Sequence, residues 1–161
     1  MEKKMADVTL KAEHVNPFIK ATIDTFSTIV NMKVTPGKVR LKEHGGSSYD
    51  VSGIIGLSGG AKGTVALSFP RMVALPIVRA FTGEKTVTNT QMVDAIGEVA
   101  NIVAGAAKRD LAQYKIKISL PTVVMGDKHE VAGPTDAVNL IVPFECPAGK
   151  FDLSVCFKSL I

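Results

Sequence analysis

Glu98 and Asn101 sit three residues apart in DAIGEVANIVAGAAK, residues 94–108, a stretch that reads as helix by composition. A carboxylate pairs with a cation, and a carboxamide accepts one hydrogen bond while donating another. Placed at about 100° per residue, Met92, Ile96, Val99, Ala100, Val103 and Ala107 form a core stripe. Asp94, Gly97, Glu98, Asn101, Gly105 and Lys108 gather on the opposite side. The pair is therefore expected to face outward as i, i+3 neighbours, with Asp94 one turn earlier. A solvated face is the ordinary place for such residues, but two features point beyond it. Asn competes with the backbone in mid-helix. Each internal glycine costs up to about 1 kcal/mol relative to alanine, and an exposed one gains nothing unless something else must come close. The pattern predicts an outer face kept low around two functional side chains, so that a partner surface can dock.

Other constellations are weaker. EHVN, residues 13–16, repeats the E-x-x-N spacing, but Asn16 precedes Pro17. A residue before proline is pushed out of the helical region, so Asn16 reads as an N-cap with Pro17 at the first helical position. GLSGGAKGT, residues 56–64, fails the phosphate-loop pattern: Ala61 stands where glycine should precede the lysine, and Gly63 replaces Ser or Thr. It also lies between two strand-like runs, as a hairpin turn would. His14, His44 and His129 lack metal-ligand spacing and read as surface or loop residues.

The 161 residues suit one domain spanning the whole chain, 1–161, and the composition is 46% hydrophobic and 21% charged, as in a globular protein with a real core. The net charge of +4 is scattered, with no basic stripe interleaved with aromatics, which argues against nucleic-acid binding. No run approaches the ~18 apolar residues of a membrane span, and MEKKMADVTLK has no apolar core of a secretion signal, so a cytoplasmic protein without a membrane association is expected. Cys146 and Cys156 flank CPAGKF in an expected terminal hairpin. With Pro147–Lys150 as the turn, Cys146 opposes Phe151, Phe144 opposes Leu153 and Val142 opposes Val155 on one face, while Cys156 opposes Ile141 on the other. That register excludes a Cys146–Cys156 disulfide.

The elements that must position the pair follow from local pattern. DVTLKAE, residues 7–13, alternates as an edge strand; a helix runs from about Pro17 to Val30; TPGK, residues 35–38, is a turn; VRLKEH, residues 39–44, is a strand; and GGSS, residues 45–48, is a loop. YDVSGIIGLSG and GTVALSFP form a hairpin around SGGAK, residues 58–62. PRMVALPIVRAFTG is a short helix closed by Gly83, with Pro76 an obstacle inside it. The long helix begins near Asn89 or Thr90 and reaches about Gln113. KIKISLPTVV, residues 115–124, is one strand, and GDKHEVAGPTD a polar hairpin loop before the terminal hairpin. Short turns between adjacent strands imply antiparallel pairing. The predicted class is α+β: two layers, a largely antiparallel sheet with long helices on one face.

Asp94, Glu98 and Asn101, followed by Pro121 of SLPTVV, together resemble the signature of the CheC/CheX/FliY family of bacterial chemotaxis phosphatases. DVSGIIGLSGGAKGTVALSFP and NPFIKATIDTF resemble the CheX branch, and the likeness spans about residues 7–160. It implies a CheC-like fold, a homodimer, and removal of the phosphoryl group from the aspartate of a phosphorylated CheY-like response regulator. Asn101 would orient the attacking water and Glu98 would pair with the regulator's active-site lysine. Asp94, Gly97, Gly105 and Pro121 would support the face. No cofactor is expected on this chain, because the Mg²⁺ belongs to the regulator. The first helix offers Lys20, Asp24 and Ser27 rather than a second functional pair, which favours the one-site CheX type. The alternative is a non-catalytic adaptor that uses the same face to bind a receiver domain or flagellar-switch component.

Overall fold

Large apolar residues at every second position of four long strands, such as Val51, Ile55 and Leu57 or Phe151, Leu153, Val155 and Phe157, commit one face of a sheet to the core. In the computed structural model, which describes residues 2–42, 48–127, 129–131, 133–134 and 137–161 with side chains from Glu13 onward, these strands are β3 (Val51–Ser58), β4 (Ala61–Phe69), β7 (Asn139–Cys146) and β8 (Gly149–Ser159). Short strands complete the sheet: β1 (Thr35–Pro36), β2 (Arg40–Leu41), β5 (Lys117–Ile118) and β6 (Thr122–Met125). The order is β1–β7–β8–β4–β3–β5, with β2 also on β7 and β6 also on β3. Every described pairing is antiparallel.

Three helices cover the apolar face: α1 (Glu2–Thr25), α2 (Arg71–Thr82) and α3 (Asn89–Arg109). Phe151 lies at the centre of the packing, with ring centroids 5.0 Å from Phe26, 4.9 Å from Phe69 and 5.2 Å from Phe144. The opposite face carries Ser52, Ser68, Ser154 and Cys156, all buried. The architecture is α+β, an antiparallel sheet with its helices on one side.

Several local expectations need correction. DVTLKAE is not an edge strand, because α1 runs through it without a break. Asn16 is not an N-cap and Pro17 does not start the helix; both lie inside α1. Proline there forfeits one backbone hydrogen bond. Tertiary contacts upstream offset that loss: Val15 is buried, and His14, expected at the surface, is 5% exposed. The His14 ring packs 4.2 Å from Phe157, and its Nε2 lies 2.8 Å from the Tyr114 hydroxyl. The EHVN stretch is thus helical, with Glu13 and Asn16 exposed. At its other end α1 continues as a π-helical turn, Phe26–Val30, closed by Asn31 at φ 58°.

TPGK is not simply a turn: Thr35 pairs with Glu145, and the Gly37 N–H donates to the Pro143 carbonyl at 2.7 Å. Arg40–Leu41 of VRLKEH pair with β7 and the Lys42 N–H donates to the Asn139 carbonyl at 2.8 Å; His44 and most of GGSS lie outside the described residues. The β3–β4 hairpin forms as expected, turning at Gly59–Gly60. α2 ends at Gly83, φ 76°, and contains Pro76. The terminal hairpin turns on two residues, Pro147 and Ala148, so Cys146 opposes Gly149, Phe144 opposes Phe151, Val142 opposes Leu153 and Cys156 opposes Asn139. This differs from the expected register by two residues, one full strand period, so each side chain keeps its predicted face. Cys146 and Cys156 form no disulfide. In the loop before this hairpin, His129 is half-buried, with Nε2 at 2.7 Å from Ser52 Oγ and Nδ1 at 2.7 Å from the Gly126 carbonyl.

Candidate functional site

α3 starts at a capping box. The Thr88 hydroxyl accepts from the Gln91 N–H at 3.1 Å, and the Gln91 side chain accepts from the Thr88 N–H at 2.9 Å, satisfying two otherwise orphaned donors. The helix ends at Arg109, short of the expected Gln113, and passes into a 3₁₀ turn at Ala112–Tyr114 with Leu111 buried beside it. The six predicted stripe residues are all buried, as are Ala95 and Ala104. The helix is seated close on β3 at Gly53, where an added Cβ would lie 3.0 Å from both the Ile96 carbonyl oxygen and the Ala100 methyl.

Glu98 and Asp94 are exposed and Asn101 is half-buried. The ion pairs among the described residues, Arg40–Asp152 and Lys150–Glu145, leave the Glu98 carboxylate without a cationic partner. Gly97 departs from the expected arrangement. It is buried, and a Cβ there would lie 3.5 Å from the Pro121 ring and 3.4 Å from Val123. A strand, not a partner, covers the helix at this position. Gly105 is the open one, with nothing within 4 Å of a virtual Cβ.

KIKISLPTVV is not one strand but two. Leu57 pairs with Ile118 and Ile54 with Thr122, so Ile55 and Gly56 face three residues, Ser119, Leu120 and Pro121. The extra residue is a β-bulge, and proline is confined to such places in sheets. The Ser119 N–H donates to the Gly56 carbonyl at 2.9 Å, and Ser119 Oγ accepts from the Gly56 N–H at 2.8 Å while donating to the Leu120 carbonyl at 2.8 Å. The bulge presses Pro121 against Gly97 and leaves Leu120 87% exposed. Residue spacing did not reveal Gly53, Ser119 or Leu120; a proline inside an otherwise apolar strand run is the sequence signal for the bulge.

The structure therefore brings Gly97, Glu98, Asn101 and Pro121 to one place, with Asp94 one turn before and Gly105 one turn after. Gly105 opens onto an apolar depression shared with Ile116 and Ile118. Among the described residues no three His, Cys, Asp or Glu side chains cluster so as to hold a metal ion. No helix there is long and apolar enough to cross a membrane. The arrangement offers a carboxylate and a carboxamide to an incoming surface, at the outer rim of a rigid helix–sheet contact.

Residues 51–145 match the family model described as chemotaxis phosphatase CheX. The CheY-P phosphatase CheX of Thermotoga maritima is 30% identical over 121 residues, covering 73% of this chain and 78% of that protein. The crystal structure of chemotaxis protein CheX from Desulfovibrio desulfuricans superposes with a TM-score of 0.84 at 28% identity, covering 91% of this chain and 99% of that one. That of CheX from Vibrio vulnificus gives 0.82 at 31% identity with the same coverage, 91% and 99%. By sequence and by fold, the chain belongs to the CheX family of chemotaxis phosphatases, and is thus a hydrolase.

Proposed function

We propose that this protein hydrolyses the aspartyl phosphate of a CheY-like response regulator, with Asn101 orienting the attacking water and Glu98 docking to the regulator's lysine. One observation carries the reading: an exposed carboxylate and a half-buried carboxamide share one outward turn of a helix packed closely against the sheet. The name of the Thermotoga maritima relative, a CheY-P phosphatase, supports the substrate class.

The chemistry asks for little more. An acyl phosphate is already activated and its transition state is loose, so positioning and charge stabilisation do most of the catalysis. A carboxamide accepts a hydrogen bond from the water and donates one to a phosphoryl oxygen, adding no negative charge. A carboxylate in that place would repel the phosphoryl group; one aimed at a lysine a turn away does not. Half-burial restricts the rotamers of Asn101, while the exposure of Glu98 leaves it free to reach a partner. On this reading the Mg²⁺ sits on the regulator, and the protein works in the cytoplasm as a homodimer.

The test follows loss of label from the phosphorylated regulator. Asn101→Ala should slow turnover about a hundredfold, as removal of one preorganised donor does. Glu98→Ala should chiefly raise KM. Equal turnover by Asn101→Ala and wild type would end the assignment, and binding without accelerated hydrolysis by the wild type would favour the adaptor.

A further inference from the structure

Gly97, Asn101 and Gly105 stand at i, i+4 and i+8, so they form one column along α3. Pro121 abuts Gly97 at the start of that column, and Ile118 lines the depression that Gly105 opens at its end. The intervening strand residues, Ser119 and Leu120, lie between these two points of the column. Leu120 is the most exposed large hydrophobic side chain among the described residues, at 87%.

A lone exposed leucine is ordinary on a protein surface. The backbone that carries this one is held from both sides. Ser119 Oγ fills the position of a missing ladder acceptor for the Gly56 N–H and also bonds the Leu120 carbonyl. Pro121 fixes its own φ immediately afterwards. A backbone ordered in this way loses little freedom on binding, which favours the apolar side chain it presents as a point of contact. Glu98, exposed and without a cation on its own chain among the described residues, lies on the same helix as that column.

We infer that Leu120, presented by the Ser119 bulge, is the apolar anchor that docks the phosphorylated receiver domain beside Asn101. Leu120 packs on the receiver next to the point where Asn101 reaches the phosphoryl group, while Glu98 meets the receiver's cation. Ser119 is a positioning residue that acts through Leu120. This rests on the function proposed above, and it adds the contact that supplies affinity rather than chemistry.

The experiment titrates the full chain with the organism's own chemotaxis receiver domain carrying beryllofluoride as a stable stand-in for the phosphoryl group. Turnover of the phosphorylated receiver is measured in parallel. Leu120→Asn should raise Kd and KM about tenfold, the loss of a modest anchor, and leave kcat and the unfolding midpoint unchanged. Ser119→Ala should raise Kd with Leu120 in place, and Ser119→Thr, which keeps the hydroxyl, should restore it. Leu41→Asn, 50% exposed in wild type and on the opposite edge of the sheet, should leave Kd unchanged. An unchanged Kd in Leu120→Asn overturns the inference, as does an equal loss in Leu41→Asn. A Leu120→Asn effect on Kd alongside undiminished turnover in Asn101→Ala would instead sink the catalytic assignment and keep the docking one.

Discussion

Asn101 poses a choice between an amide and an acid that the proposed chemistry decides in one direction. Asn101→Asp keeps the size and one acceptor but removes the donor and adds a charge facing a dianionic phosphoryl group. Turnover should fall at least as far as in Asn101→Ala, with the unfolding midpoint unaltered because the side chain is only half-buried; a variant that stays active would show that donation to the phosphoryl oxygen is not used. The pair itself was legible in the sequence, since the apolar stripe Met92–Ile96–Val99–Ala100–Val103–Ala107 leaves Glu98 and Asn101 a single available side, and the structure buries all six stripe residues. Gly97 was not legible. A glycine carries no side chain to weight a helical wheel, so its environment depends on which distant strand comes near. That strand is held there by Ser119 and Pro121, more than twenty residues on in the chain.

Elements are where short-range pattern ran out. α1 starts well before the Asn16–Pro17 boundary signal because His14 and Val15 are buried against distant parts of the chain, and no local rule weighs such contacts. KIKISLPTVV divides because one extra residue must be absorbed opposite Ile55 and Gly56, a fact of pairing rather than of propensity. The terminal hairpin slipped by two residues yet kept both faces, since alternation fixes the face and the turn alone fixes the register. Two glycines at the α3–sheet contact make a prediction of opposite signs. A Cβ at Gly97 meets Pro121 and Val123 at ordinary distances of 3.4–3.5 Å, so Gly97→Ala should stabilise α3 by up to about 1 kcal/mol through helix propensity. A Cβ at Gly53 meets a backbone oxygen and a methyl at 3.0 Å, so Gly53→Ala should force helix and sheet apart at a cost of about 1–3 kcal/mol. Denaturant unfolding of the two variants checks both signs, and a stable Gly53→Ala protein would mean that α3 is not seated as tightly as this contact requires.

Across the molecule the two faces of the sheet follow different physics. The helix side is closed by apolar packing around Phe151; the other side buries serines, and Asp152 lies there at 19% side-chain exposure. Burial pushes the Asp152 carboxyl above the usual aspartate range, and Arg40, 3.6 Å away but 56% exposed, only partly opposes it. A folded-state pKa raised above the unfolded value of about 3.9 means that the fold prefers the protonated acid. The stability linked to this group is therefore fully present below the unfolded pKa and is lost as pH rises through the folded one. Asp152→Asn removes the ionisation and leaves a polar side chain of the same shape, while the Arg40 pair it breaks is long, at 3.6 Å, with its guanidinium more than half exposed, and is of small worth. At pH 7 the variant should unfold at a higher temperature than the wild type, and the gap should shrink as pH is lowered to about 3, where the wild-type carboxyl is protonated in both states. Thermal unfolding at the two pH values decides the matter. A gap that widens on acidification would mean that Arg40 outweighs burial at this site and that the outer face of the sheet gains from the charge it holds.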